Sequence, residues 1–267
     1  MPLIEKMPYL AVLHLQMMNF VYGNRGASFP TNTHVRTLRL CYPSDGIYLR
    51  TDVPPLGQSL IFSYVHILRE LEIDSRLVDL ETMTTLSSSQ LHSLTISGSR
   101  PPTIDPSLLL HAISMISTLR SLEIWCRELR DNGPPFILAA QKAKVRLNLT
   151  TLKLSNIKPE EYIISYMPAE TISVTLLHNP RQSVCSAQTY AVPSSGQMLT
   201  MLQNSQLGSS LKELCFTIEG EIDCDLLEFI AVTYPNIETM QIQRCWTSGV
   251  NLLENEVFDV FILDFIR

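Results

Sequence analysis

The stretch YPNIETMQIQRC, residues 234–245, decides the fold of this chain. Ile237, Met240 and Ile242 are apolar, and the residues between them are polar. Strict alternation over residues 240–243 predicts a strand with one buried and one solvated face. The two residues between Ile237 and Met240 break this period of two, so the segment differs from an ordinary hairpin strand. Its three apolar positions, spaced by three and then two residues, define a unit that can be searched for elsewhere.

The same unit recurs along the whole chain. Seven copies are clear: VRTLRL at 35–40, LRELEI at 68–73, LHSLTI at 91–96, LRSLEI at 119–124, LTTLKL at 149–154, LKELCF at 211–216 and IETMQI at 237–242. Two weaker copies are LAVLHL at 10–15 and AETISV at 169–174. The starts of the nine copies are separated by 25, 33, 23, 28, 30, 20, 42 and 26 residues. Most of these intervals match the period of leucine-rich repeats, roughly 20–29 residues.

Helix signals fall between the predicted strands. Asp105-Pro106 before SLLLHAIS is an N-cap followed by a proline at the first helical position. Asp225 and Glu228 have the spacing of a capping box. Three more segments carry apolar residues at helical spacing: PPFILAAQKAK at 134–144, KPEEYIISYMP at 158–168 and SGQMLTMLQNS at 195–205.

Strands that alternate with helices are parallel, because each helix returns the chain to the start of the next strand. The sequence therefore predicts an α/β leucine-rich-repeat solenoid of about nine irregular repeats, right-handed and ribonuclease-inhibitor-like. The parallel sheet lines its concave face and the helices its convex face. Residues 1–267 are predicted to form a single domain. Residues 178–196, in the longest interval between repeats, are predicted to be a surface insertion.

Composition excludes several classes of function. The net charge is −6 with 17% charged residues and no dense run of Lys or Arg, so we expect neither a nucleic-acid nor a membrane partner. The six cysteines include no C-x-x-C pair, which favours a reducing compartment, cytoplasmic or nuclear. Phosphate-loop, G-x-S-x-G and H-E-x-x-H motifs are absent, so we expect a protein that is not an enzyme and has no cofactor. The acidic run from Glu219 to Asp225 is interpreted as a solvated turn and helix cap rather than a metal site.

The segments TYPNIETMQIQRC (233–245), ISTLRSLEIWC (116–126) and MPYLAVLHLQMMN (7–19) resemble the leucine-rich-repeat region of F-box proteins, particularly the divergent fungal ones. The resemblance covers nearly the whole chain. It implies capture of a protein substrate for a cullin-type ubiquitin ligase, on which a separate N-terminal F-box docks. No F-box precedes the first repeat here, so we expect either a fragment lacking its N-terminal cap or F-box, or a relative without ligase docking. The alternative function is regulation of a small GTPase or other enzyme.

Candidate partner-binding residues lie on the strand face opposite the apolar positions. One set stands directly before the third apolar position, and a second set stands two residues further on. The residues singled out are His14, Arg39, Glu72, Glu123, Trp125, Lys153, Gln241 and Gln243, with Thr95, Ser173 and Cys215 in the first set and Asp74 and Ser155 in the second. Mixed charge around a tryptophan suits protein recognition. The alternative is a solvated strand face with cross-strand pairs such as Arg39–Glu72, and Trp125 packed under a loop.

Overall fold

The computed structural model describes residues 7, 9–16, 34–41, 55–98, 105–126, 145–178, 192–245 and 258–264. The chain divides into two compact units, Met1–Cys126 and Arg127–Arg267. Each unit is α/β, with parallel strands and helices between them. The prediction of one domain over residues 1–267 remains a prediction. Within the described ranges, every helix is too short or too polar to cross a bilayer.

The first unit contains five strands that pair in parallel, each with the next along the chain. They are β1 (Val12–Gln16), β2 (Thr37–Cys41), β3 (Glu70–Asp74), β4 (Ser93–Gly98) and β5 (Ser121–Cys126). The helices are α1 (Pro55–Tyr64), α2 (Leu80–Leu86) and α3 (Pro106–Met115), with a 3-10 turn at Ser75–Leu77. Helix α2 contacts both α1 and α3.

The register of the first unit explains why it folds this way. The central apolar residues of consecutive strands lie beside one another, and Leu38, Leu71, Leu94 and Leu122 are each at most 2% exposed. Side chains of a strand alternate between its two faces, so the polar residues between these positions face the other side. One layer of leucines therefore runs across the strands and forms the core with the helices.

The second unit contains four parallel strands and one antiparallel strand. The parallel strands are β6 (Thr151–Ser155), β7 (Ser173–Leu177), β8 (Glu213–Glu219) and β9 (Thr239–Cys245). Strand β10 (Phe258–Asp264) runs antiparallel to β9. The helices are α4 (Ser195–Gln203), which contacts β8, and α5 (Cys224–Thr233), which contacts α4. A 3-10 turn occupies Ile163–Tyr166.

All nine predicted strand segments contribute to a strand, β1 to β9, and within each unit these strands are parallel. The α/β class with a parallel sheet is thus confirmed. Strand β10 was not predicted. The sequence there carries Asp259 and Asp264 within an apolar run, and it belongs to no copy of the repeat unit.

The predicted register of the seventh copy is wrong by two residues. The prediction placed Ala169, Ile172 and Val174 in the core, but Ile172 is 43% exposed. The buried positions are Thr171, Val174 and Leu176, and Val174 lies beside Leu152 and Leu214. A threonine at the first apolar position hid the correct alignment. Its hydroxyl donates to the Pro168 carbonyl at 2.7 Å, which satisfies the buried oxygen.

Two of the predicted helix starts are confirmed and one is wrong. Asp105 caps α3, and its carboxylate accepts from the Ser107 backbone N–H at 2.8 Å. The segment 195–205 forms α4, with a capping box between Ser194 and Gln197. Helix α5 begins at Cys224 with Asp223 as its N-cap, so Asp225 lies inside the first turn and is not the cap.

The remaining predicted segments differ from the structure or lie outside its described part. The segment 158–168 contains a 3-10 turn at Ile163–Tyr166 instead of the predicted helix, between Pro159 and Pro168. The Glu161 carboxylate accepts from the backbone N–H groups of Tyr162 and Ile163 at 3.1 and 3.3 Å and fixes this turn. The predicted helix at 134–144 and residues 179–191 of the predicted insertion lie outside the described residues.

Candidate functional site

A row of polar side chains crosses the strands of the first unit on the face opposite the leucine layer. His14, Arg39, Glu72, Thr95 and Glu123 are consecutive register partners and are all exposed or half-buried. In the second unit the equivalent positions are Lys153, Thr175, Cys215 and Gln241, all half-buried. We call these positions the middle row of each unit. They include six of the eight predicted partner-binding residues.

Side chains of the middle row in the first unit are held by one contact across strands and one contact within a strand. Arg39 Nε lies 3.5 Å from Glu72 Oε2, so the predicted cross-strand pair forms. The indole Nε1 of Trp125 donates to Glu123 Oε2 at 3.0 Å. The arginine side chain keeps 49% of its surface exposed, and the exposed pair therefore contributes little to stability. The row thus presents oriented charges and a half-buried indole to the solvent.

Two cysteines on this face are held as neutral thiols. Burial, and then the neighbouring Glu72 carboxylate, raise the pKa of Cys41 to about 11, and Cys41 Sγ donates to Glu72 Oε1 at 3.5 Å. Burial also raises the pKa of Cys215. A thiol must lose its proton to act as a nucleophile. The arrangement therefore suppresses thiolate chemistry at both positions.

In the second unit, Gln243 is anchored by a chain of hydrogen bonds that runs through three strands. Its Oε1 accepts from the Thr217 hydroxyl at 3.0 Å, and the same Thr217 oxygen accepts from the backbone N–H of His178 at 2.8 Å. Thr217 is 2% exposed and His178 is 7% exposed. Gln243 itself is half-buried. The amide of this predicted contact residue therefore lies at the surface, at one end of a buried hydrogen-bond network.

Three predicted face positions lie on the polar face of their strands but are buried. Asp74 is 4% exposed, because Arg76 folds back over it and donates to its carboxylate from Nε at 2.7 Å and from the backbone N–H at 3.0 Å. Ser155 is 1% exposed. Ser173 is 6% exposed, and the two-residue error in the register of β7 explains why it was chosen instead of Thr175.

A second row of residues was missed by the sequence analysis. These residues directly follow the first apolar position of consecutive repeats, at the point where each strand begins. We call this row the strand-entry ladder, and its members are Arg36, Arg69, His92 and Arg120, all exposed. The signal was present in the sequence as V-R, L-R, L-H and L-R at the start of four copies.

Among the described residues, no three His, Cys, Asp or Glu side chains converge in a way that could hold a metal ion. In the acidic run, Glu221 Oε1 pairs with Arg244 Nη2 at 2.9 Å, and the backbone N–H of Asp223 donates to Ser195 Oγ at 3.0 Å. Gly220 lies within the run, and its positive φ of 79° makes the turn. These contacts fit the interpretation of a turn that leads into α5.

His178 makes the stability of the second unit depend on pH. Burial lowers the pKa of His178 from 6.5 to about 4, so the folded chain stays neutral there while the unfolded chain takes a proton below pH 6.5. Stability is full above pH 6.5 and is lost as the pH falls toward 4. We expect a loss of roughly 2 kcal/mol between pH 7.5 and 5 from this residue. Urea denaturation at several pH values measures it, with His178→Gln as the non-titrating control whose profile should lack this loss.

The observations on the middle row and the ladder stand without support from relatives. No family model matches the sequence, and the search of curated proteins finds no significant similarity.

Proposed function

We propose that this chain is a protein-binding module that recognises a partner through the middle row, in the manner of the substrate-recognition regions of F-box proteins. In this proposal the repeats are of the leucine-rich type, with right-handed crossovers and the middle row on the concave side. The chain acts by binding and not by catalysis. Its partner is a protein substrate or a regulatory protein, bound in the cytoplasm or nucleus.

One observation carries the proposal: polar side chains at equivalent positions of consecutive parallel strands are aligned by the register. His14, Arg39, Glu72, Thr95 and Glu123 change in charge from one strand to the next, although the buried positions between them stay aliphatic. Neighbouring strands lie about 4.8 Å apart, so the side chains of such a row contact a partner at several regularly spaced points. Hydrogen bonds already orient the glutamates, which reduces the entropy lost on binding.

Trp125 is the anchor expected to contribute most to affinity. Tryptophan and arginine dominate the binding energy of protein interfaces. Trp125 lies on β5, the last strand of the first unit, as the register partner of Ser97 on β4. Its indole is half-buried and fixed by Glu123, so it offers a rigid apolar surface beside charged groups.

The test compares the wild-type chain with Arg39→Glu in affinity purification from the organism that encodes it, followed by titration with each purified candidate. We expect a true partner to bind Arg39→Glu at least 10-fold more weakly, because reversal of a charge in an interface turns attraction into repulsion. Arg146→Glu is the matched control, since it reverses another exposed arginine outside the middle row and should change affinity less than 2-fold.

The double variant Arg39→Glu/Glu72→Arg separates folding from recognition. It restores an ion pair across β2 and β3 but inverts the charge pattern seen by a partner. It should therefore fold like the wild type and still bind weakly. Equal binding by all variants would refute the proposal. Subunits of a cullin-type ligase among the captured proteins would favour the adaptor role, and a small GTPase would favour the regulatory one.

A further inference from the structure

The four residues of the strand-entry ladder form one continuous line along the first unit. The backbone N–H of Arg69 donates to Arg36 O at 2.8 Å, that of His92 to Arg69 O at 2.7 Å, and that of Arg120 to His92 O at 2.9 Å. These residues are 33, 23 and 28 positions apart in sequence but occupy neighbouring strands. With strands about 4.8 Å apart, the line is about 14 Å long.

The ladder is basic although the chain as a whole carries a net charge of −6. Glu70 is the acidic residue beside it, and Glu70 Oε2 accepts from the Thr37 hydroxyl at 3.2 Å. The acidic residues Asp79, Glu81 and Asp105 lie instead where helices α2 and α3 begin. Each helix follows a strand and leads the chain back to the start of the next strand. In the first unit, basic residues therefore lie where strands begin and acidic residues lie where helices begin, so charge is separated along the strand direction.

Contacts with nearby carbonyl groups orient three members of the ladder, Arg36, His92 and Arg120. Arg36 Nη1 donates to Ile67 O at 3.1 Å, and Arg120 Nη1 donates to Ser117 O and Leu119 O at 3.0 and 2.9 Å. The ring Nδ1 of His92 lies 2.6 Å from Gln90 O. Arg69, in the middle of the line, is exposed and forms no side-chain hydrogen bond or ion pair with any described residue. The carbonyl group that Arg36 contacts is neutral, so the positive charges of Arg36 and Arg69 remain available to an anion.

The second unit provides an internal comparison. Its equivalent positions hold Thr150, Ile172, Lys212 and Glu238, linked by the same backbone hydrogen bonds at 2.8 Å. Lys212 Nζ pairs with Glu238 Oε1 at 2.8 Å, so the charge there is balanced internally. The fold alone therefore does not require basic residues at the start of strands. The charge of the ladder in the first unit calls for a different explanation.

We propose that the strand-entry ladder binds an acidic peptide segment of a partner protein. About 14 Å corresponds to four or five residues of extended peptide at about 3.3 Å each, and arginine pairs with carboxylates through two parallel hydrogen bonds. A nucleic acid is less suited, because the ladder is a single line without Phe, Tyr or Trp side chains for base stacking. A membrane surface is less suited, since the ladder carries no apolar residue to insert. The ladder is separate from the middle row, so this proposal is correct or wrong independently of the proposed function.

The test measures binding of an octaglutamate peptide, labelled with a neutral fluorophore, to the full chain by fluorescence anisotropy at about 50 mM salt. We expect Arg69→Gln to weaken binding about 2- to 5-fold, and Arg36→Gln/Arg69→Gln/Arg120→Gln to weaken it about 10- to 100-fold, because each exposed ion pair contributes a small factor. Arg146→Gln, which removes an exposed arginine from the second unit, should change affinity less than 1.5-fold, a factor that corresponds to less than about 0.3 kcal/mol.

Further measurements keep the result unambiguous. Circular dichroism checks the fold of each variant, and if the triple variant does not fold, Arg69→Gln carries the test because it loses no contact with a described residue. Octaglutamine should not bind. The proposal is overturned if octaglutamate does not bind, if Arg146→Gln weakens binding as much as Arg69→Gln, or if an eight-nucleotide single strand or vesicles containing phosphatidylserine bind the ladder more tightly than the peptide.

Discussion

Replacement of Phe216 by alanine is expected to destabilise the second unit by about 4 kcal/mol. Phe216 lies in β8 with no exposed surface, and its register partners Leu176 and Ile242 are each at most 1% exposed. Removal of the ring deletes its apolar burial and leaves a cavity between strands that cannot close, because both neighbours are fixed by backbone pairing. A typical domain is stable by about 5–15 kcal/mol, so this loss is a large fraction of the total.

Urea denaturation followed by circular dichroism at 222 nm measures the effect as a lower midpoint at unchanged slope. Cys215→Ala is the control, since residue 215 precedes Phe216 on the same strand but is half-buried on the opposite face. It should cost less than about 1 kcal/mol. If the two substitutions cost the same, the assignment of buried and open faces in β8 is wrong.

Gly98→Ala is expected to destabilise the first unit by nearly as much, about 3–4 kcal/mol. Gly98 ends β4 with φ of +155°, a conformation that residues with a side chain rarely adopt. A Cβ at this position would lie 3.3 Å from both Cβ and the backbone N of Ser75, and closer still to Ser75 Oγ. Ser75 is 2% exposed and cannot move away without disturbing the turn after β3.

The measurement uses Trp125 fluorescence during urea denaturation in a Trp246→Phe background, so that the signal comes from β5, the strand next to Gly98. Ser75→Ala is the matched partner variant. Ser75 Oγ is buried without a hydrogen-bond partner, so its removal alone should be neutral or stabilising by up to about 1 kcal/mol. In the double variant the cost of Gly98→Ala should fall by about 1 kcal/mol or more. If the effects of Gly98→Ala and Ser75→Ala on stability simply add, the Ser75 hydroxyl is not the group that a side chain at position 98 contacts.

The strands could be predicted because their signal is local and repeated. Burial of one face imposes the same spacing of apolar residues on β1 to β9, and recurrence separates this spacing from chance. Strand β10 carries no such unit, since an antiparallel strand joins the sheet through pairing with β9 alone. The start of β7 was misplaced because Thr171, buried through its own hydrogen bonds, occupies a position where the pattern demands an aliphatic residue.

Helices were harder to predict than strands. Helix α2 is seven residues long and contains three threonines and a methionine at its centre, so its periodic signal is short. Its start depends on the Asp79 carboxylate accepting from Thr82 N–H at 2.8 Å. Helix α1 includes Gly57 and was not recognised either. Both are stabilised chiefly by packing against their neighbours, which single-sequence propensity does not capture.

The candidate site could be predicted in outline but not in detail. Alternation alone placed Arg39, Glu72, Glu123 and Gln241 on the polar face. It did not reveal that Arg76 turns back over Asp74, because that contact depends on the conformation of the following turn. The strand-entry ladder was missed for another reason. Its members are far apart in sequence, and only alignment of the repeats brings their charges into one line.

The fixed register across the strands also governs how the gene can change in length. A single residue inserted or deleted within a strand such as β3 would turn Leu71 and Ile73 toward the solvent and bring Glu72 inward, because successive side chains alternate between faces. The segments that connect neighbouring strands already vary widely in length along the chain. Natural variants of this protein are therefore expected to differ in length within the connecting segments and to conserve the number of residues in every strand.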